Sequence, residues 1–138
     1  MVELQTAPDD QALRERIIRL ERTLTPSAVV PQEAKRFLSR ATIFHQEAND
    51  IRGHDPLAMS AYAFAITAYK EALLIAPWWP EAYYGLGASL QESGRFDEAA
   101  AALNLFMLTR PDAAGASAAE DRLCAIAVVK RGQALSKH

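Results

Sequence analysis

The chain reads as an all-α domain built from antiparallel helix pairs, and three observations lead there. Every long segment repeats its apolar residues at three- and four-residue spacing, and none shows the alternation of a half-buried strand. Prolines and glycines fall between those segments rather than inside most of them. A shift of 34 positions also lays one stretch over another: Tyr62 meets Phe96, Ala65 meets Ala99, Ala68 meets Ala102, Tyr69 meets Leu103, Leu73 meets Met107 and Pro77 meets Pro111. With 138 residues, one cooperative core is expected.

Six helices follow in order. The first is expected from about Asp10 to Leu24, with Leu13, Ile17, Leu20 and Leu24 on its apolar face and Arg14, Arg16, Arg19 and Arg22 elsewhere; Thr25-Pro26-Ser27 stops it. The second opens at Pro31, suited to a first helical position, and carries Phe37, Ala41, Phe44, Ala48 and Ile51 before ending at Gly53. Asp55 caps the third, with Pro56 behind it. That helix, running to Ala76, has a small-residue stripe (Ala58, Ala61, Ala65, Ala68, Ala72) that admits a close neighbour and a bulky one (Tyr62, Ile66, Tyr69, Leu73) that fills a core layer. Helix four runs from Pro80 to about Ser93 and stops at Gly94, a residue at ease in the left-handed conformation. Helix five starts near Asp97, directs Phe96, Ala99, Leu103 and Phe106 one way, and ends before Pro111. After "DAAGAS", expected to be flexible, helix six spans about Ser117 to Leu135.

The segment from Pro80 to Asp112, "PEAYYGLGASLQESGRFDEAAAALNLFMLTRPD", resembles a tetratricopeptide repeat. Tyr83, Leu86, Gly87 and Leu90 stand at the signature positions of that family's first helix, Phe96, Ala99 and Leu103 at those of its second, and Pro111 at its closing proline. Phe106 departs from the family, which usually has Ala where the helices cross, so local repacking is implied. An earlier unit fits once about 12 extra residues are allowed in it, which sets Phe37, Ala41 and Phe44 against the Tyr83 helix. The resemblance implies a short domain of bacterial type: residues 1–30 hold the N-terminal helix and connection, 31–113 about two repeats, the first elongated, and 114–138 a C-terminal capping helix.

Composition narrows the chemistry. A net charge of −2 lacks the basic excess that phosphate neutralisation needs, so nucleic acid is not an expected partner. Charged residues interrupt the apolar segments, and none is expected to span a bilayer. The opening "VELQTAPDDQ" has neither a basic start nor an apolar core, so no export signal is expected in it. Such a lead-in also suits a chain whose signal or lipoprotein anchor has been removed, which leaves cytoplasm and periplasm both open. The lone Cys124, on an apolar helical face beside Leu123 and Ala127, is expected to be a buried structural thiol. His45, His54 and Asp55 come nearest to a metal cluster, but the two histidines are nine apart, where a helical pair needs three or four. His45 is expected to pack half-buried beside a core stripe. No nucleophile motif or phosphate-cradling loop occurs, and Gly85-Leu86-Gly87 lies inside a helix, where close packing explains it; no metal, cofactor or catalytic residue is expected.

Trp78 and Trp79 lie between Pro77 and Pro80 at the turn between repeats. One indole, taken to be Trp78, is expected to plug the top of the elongated unit, and Trp79 to face solvent or a partner; a membrane anchor would need an amphipathic cationic helix beside them. The resemblance implies a non-catalytic adaptor or scaffold that holds a protein or peptide along a groove lined by Trp79, Glu81, Tyr84, Ala88 and Gln91. Tyr84 and Ala88 replace the Lys and Asn with which some family members clamp acidic tails, so such a tail is not the expected ligand. The alternative is a carrier whose pocket, lined by Phe37, Phe44, Tyr62, Tyr69 and Trp78, takes an apolar molecule such as a lipid, as an exported or membrane-associated component of a transport system. Self-association through the first or the sixth helix is a further option. A pocket lined almost wholly by apolar groups would favour the carrier; a shallow groove with Tyr84 and Gln91 exposed would favour the adaptor.

Overall fold

The computed structural model describes residues 11–23, 29–51 and 56–136, which form six helices and, among the described residues, no strand. They are α1 (Gln11–Glu21), α2 (Gln32–Ile51), α3 (Pro56–Ile75), α4 (Pro80–Glu92), α5 (Phe96–Leu108) and α6 (Ala113–Ser136). The chain is all-α. α2 packs along α3, α4 along α5, and α3 on α4, while α6 lies against α5 and α4. Leu24, Gly53, His54 and Asp55, invoked above as face, stop, ligand and cap residues, lie outside the described residues.

α3 is the centre of the molecule because both of its stripes find partners. Ala58, Ala65 and Ala72 are fully buried, as are Ala34, Ala41 and Ala48 on α2, each set recurring every seventh residue. Small side chains at that spacing let the two helix axes approach closely. Their contacts run in opposite directions: the Tyr62 hydroxyl donates to Asn49 Oδ1 at 2.5 Å, the His45 and Tyr62 rings lie 5.8 Å apart, and Phe44 meets Phe64 at 5.3 Å. The bulky stripe, Tyr62, Ile66, Tyr69 and Leu73, is also buried. Burying side chains such as Ile66 and Leu73 contributes about 1.5 to 3 kcal/mol each.

α4 fits between α3 and α5 through two glycines on different faces. A Cβ on Gly85 would lie 2.4 Å from the Tyr69 ring, and one on Gly87 would lie 2.8 Å from Leu103 Cγ. Close helix packing is therefore what Gly85-Leu86-Gly87 provides. After Ser93, Gly94 takes φ 82°. Its N–H reaches the Gln91 carbonyl at 3.0 Å and that of Arg95 reaches Leu90 at 2.9 Å, the paired bonds of a Schellman stop. α5 ends on Arg110, which adopts the left-handed region with φ 57° although it is not glycine.

The turn between α3 and α4 is anchored from inside. Pro77 is fully buried, its carbonyl accepts the Tyr83 hydroxyl at 2.5 Å, and the Trp79 N–H closes onto Ala76 at 3.1 Å. Both indoles are half-buried rather than divided into one inside and one outside. Trp79 packs against the main core, whereas Trp78 has its Nε1 buried with no hydrogen-bond partner. A tight turn pinned at Pro77 lays both rings along the body, so the expected inward and outward pair is not seen.

Three further expectations are corrected. α1 packs on α5, and its buried residues are Arg14 and Ile18, while Leu20, expected on the apolar face, is 65% exposed. Hydrogen bonds fix that rotation: Gln11 Nε2 reaches the Ala101 carbonyl at 3.1 Å, Arg22 Nη1 the Leu108 carbonyl at 3.2 Å, and Arg14 Nη1 the Tyr83 hydroxyl at 3.4 Å. Arg14 also borders a cavity of about 290 Å³, shared with Lys70 and Glu98, so its guanidinium is not enclosed by apolar groups alone. α6 begins at Ala113, which makes most of "DAAGAS" helical. Asp112 Oδ1 accepts the Gly115 N–H at 2.7 Å, and this cap with the following alanines outweighs the glycine. Cys124 is exposed, because α6 turns Ala119 and Ile126 inward and leaves Leu123 half-buried.

Candidate functional site: a groove between α2, α4 and α6

α2, α4 and α6 enclose an open groove of about 870 Å³. Its floor is α4, which presents Glu81, Tyr84, Gly85 and Ala88 at helical spacing. α2 contributes His45 and Asn49, and α6 contributes Ala114, Gly115, Ala118 and Arg122. Tyr69 rises from α3 past Gly85, where the missing Cβ makes room for its ring. Phe106 closes the groove near α5, packed edge-on to Tyr84 with ring centres 5.2 Å apart. This is the residue that departs from the family pattern. Gly115 faces it, since a Cβ there would come within 3.4 Å of Phe106 Cζ.

The two ends of the groove differ in charge. Near the α4 and α6 N-termini stand Glu81 and Asp112, both exposed. Towards the other end, Arg122 is held in one geometry: Nε donates to the Tyr84 hydroxyl at 3.0 Å, Nη1 donates to Gln91 Oε1 at 3.0 Å, and the guanidinium lies 5.5 Å from the Tyr84 ring centre. Glu92 Oε1 forms an ion pair with the same Nη1 at 3.8 Å, longer than a hydrogen bond.

His45 is half-buried, as expected, with its ring edge-on to Tyr62 and Tyr69. Its Nδ1 lies 3.1 Å from Ser89 Oγ and 3.4 Å from the Tyr69 hydroxyl. Burial is the main cause that lowers its pKa, and the nearby Arg122 charge lowers it further, against a smaller opposing effect of Glu92. The imidazole is thus neutral at pH 7. Burial likewise raises the Tyr69 phenol, which stays a hydroxyl. The Ser89–His45 contact has the distance of a nucleophile and base, but Ser89 is wholly shielded from solvent, so a substrate has no path to its oxygen.

Glu81, Tyr84 and Ala88 therefore meet on one surface, and Gln91 stands at its end as the acceptor that positions Arg122. Trp79 does not line this surface; it packs on the core. The five residues of the alternative pocket do not gather round one cavity. Only Tyr69 reaches the groove, Phe37 and Phe44 lie half-buried against the core, Tyr62 belongs to a small cluster with Ala48, Ala58 and Ala61, and Trp78 stays at its turn. Arg122, Asn49 and Asp112 were not singled out from sequence. Each comes from a different helix or turn, and no local spacing links them.

Among the described residues no group of three or more His, Cys, Asp or Glu is placed to hold a metal ion, and no helix is long and apolar enough to cross a membrane. In comparisons with known proteins, the chain matches no family model, no curated protein and no solved structure.

Proposed function

We propose that the chain is a non-catalytic interaction module of the tetratricopeptide type, which holds a segment of a partner protein in the groove between α2, α4 and α6. The observation that carries this reading is the composition of the groove: Tyr84 and Gln91 are partly accessible, and polar groups from three helices (His45, Asn49, Glu81, Asp112, Arg122) converge on a surface that also offers Tyr69 and Phe106. Mixed lining of this kind suits a peptide, whose backbone must be hydrogen-bonded wherever it is desolvated. A lipid pocket would be enclosed and nearly all apolar, and the Phe37, Phe44, Tyr62, Trp78 set lies apart from the groove. The 34-residue repeat and the glycine-mediated packing of α4 support the family reading, in which the first helix of each pair lines the binding face.

The test is selection from a random peptide display library, with the same selection on Ala114→Trp. Ala114 is exposed and lines the groove, so an indole there fills the site without touching the core. Selected peptides should bind the parent chain and lose at least about tenfold in affinity on the variant, equivalent to about 1.4 kcal/mol. Peptides that bind both equally would place recognition elsewhere and remove the basis of the reading.

A further inference from the structure

We infer that the groove selects an extended peptide segment carrying a basic residue and an acidic residue about three positions apart, with apolar residues between: the base meets Glu81 and Asp112, and the acid meets Arg122. This rests on the reading of the groove as a peptide site and names what that site would recognise.

The charges that face the groove are segregated. Among the described residues neither Glu81 nor Asp112 makes an ion pair, and Asp112 uses Oδ1 to cap Gly115. Arg122 donates Nε and Nη1 to neutral acceptors, Tyr84 and Gln91, which fix the plane of the guanidinium; its ion pair with Glu92, at 3.8 Å and with Glu92 exposed, is too long to be a hydrogen bond and leaves the guanidinium able to take a closer carboxylate. A guanidinium fixed in advance loses little freedom when it meets a ligand carboxylate, which favours acid recognition at that point.

The spacing follows from helix geometry. Glu81 stands at the first turn of α4, and the Arg122 anchor straddles Tyr84 and Gln91 on the same helix. The midpoint of that anchor is about seven residues from Glu81, roughly 10 Å at the helical rise of 1.5 Å per residue. An extended chain covers roughly 10 Å in about three residues. Between the two ends the ligand passes Tyr84, Phe106 and Tyr69, so apolar or aromatic residues belong there.

Fluorescence anisotropy with labelled, end-capped tetrapeptides tests this: Lys-Leu-Phe-Glu and Glu-Leu-Phe-Lys, which cover both chain directions, and Gln-Leu-Phe-Gln as the uncharged control. One of the two charged orders should bind about tenfold more tightly than the control, the scale expected of a charge-assisted hydrogen bond. Arg122→Gln should erase that advantage, and Glu81→Lys, at an exposed position, should reduce it two- to fivefold while melting stays unchanged. Arg122→Lys, which keeps the charge and loses the fork, should fall between. Equal binding of all three peptides overturns the inference and leaves a groove that reads no charge. If none binds while library peptides are still lost on Ala114→Trp, the inference fails and the peptide reading survives.

Discussion

His45 links the packing of the core to the chemistry of the groove. Its ring packs on Tyr62 and Tyr69, its Nδ1 faces Ser89 and the Tyr69 hydroxyl, and burial holds its pKa below the ordinary value of 6.5. The unfolded chain therefore takes up the proton first as pH falls. The contribution of His45 to stability is complete above about 6.5 and is lost as pH drops towards the lower folded value, where a charged ring would also face Arg122. Melting temperatures between pH 7.5 and pH 5 should fall more steeply for the parent than for His45→Gln; identical slopes would rule out this role. The glycines give a second test at the same scale. Gly87→Ala gains helix propensity worth about 1 kcal/mol but drives a Cβ to within 2.8 Å of fully buried Leu103, and overpacking costs of about 1 to 3 kcal/mol should win. Gly132→Ala, where a Cβ meets nothing within 4 Å, should stabilise by about 0.5 to 1 kcal/mol. Chemical denaturation measures both, and shifts of the same sign would contradict this view of α4. Gly87 was legible from sequence because its place in the repeat marks a helix crossing. The environment of His45 was not, since Ser89 and Arg122 reach it from other helices.

The elements whose ends are set by local chemistry were legible in the same way. Gly94 and the pair Pro77 and Pro80 mark breaks that any helix must respect, and α3, α4 and α5 stop or start within about a residue of where those signals put them. α6 starts earlier than its spacing suggests because an aspartate cap and the alanines Ala113, Ala114 and Ala116 overcome Gly115, a competition between propensities that spacing does not weigh. The face of α1 was misjudged for another reason. Apolar residues predict which side of a helix is buried only when polar ones find no partners, and Arg14 finds the Tyr83 hydroxyl. The C-terminus of α5 yields a prediction of its own. Arg110 sits at φ 57°, where a Cβ is disfavoured by about 1 to 2 kcal/mol, so Arg110→Gly should raise stability by up to about 1 kcal/mol once the greater freedom of unfolded glycine is deducted. A loss of stability in thermal melts would show that the arginine side chain contributes more than the strain it imposes.

At the scale of the whole molecule, the groove exists because three helices end up side by side while α3 and α5 hold them from behind. α2 is brought close by the alanine heptads, α4 by its two glycines, and α6 by Ala119, Ile126 and the guanidinium of Arg122 lying over Tyr84. The repeat made the pairing of helices readable in advance, including Glu81, Tyr84 and Ala88 as one row along α4 that borders the groove, although Ala88 itself is buried. The far wall was not readable, because the sequence of α6 carries only a weak apolar stripe and gives little sign of which residues turn inward. The most direct measurement of the central claim is a backbone amide chemical-shift map recorded as a display-selected peptide is added. Shifts should concentrate on His45 and Asn49 of α2, Glu81 to Ala88 of α4 and Ala114 to Arg122 of α6, leaving α1 and the outer face of α5 unmoved; shifts centred on α1, or on the exposed Phe64 face of α3, would contradict it.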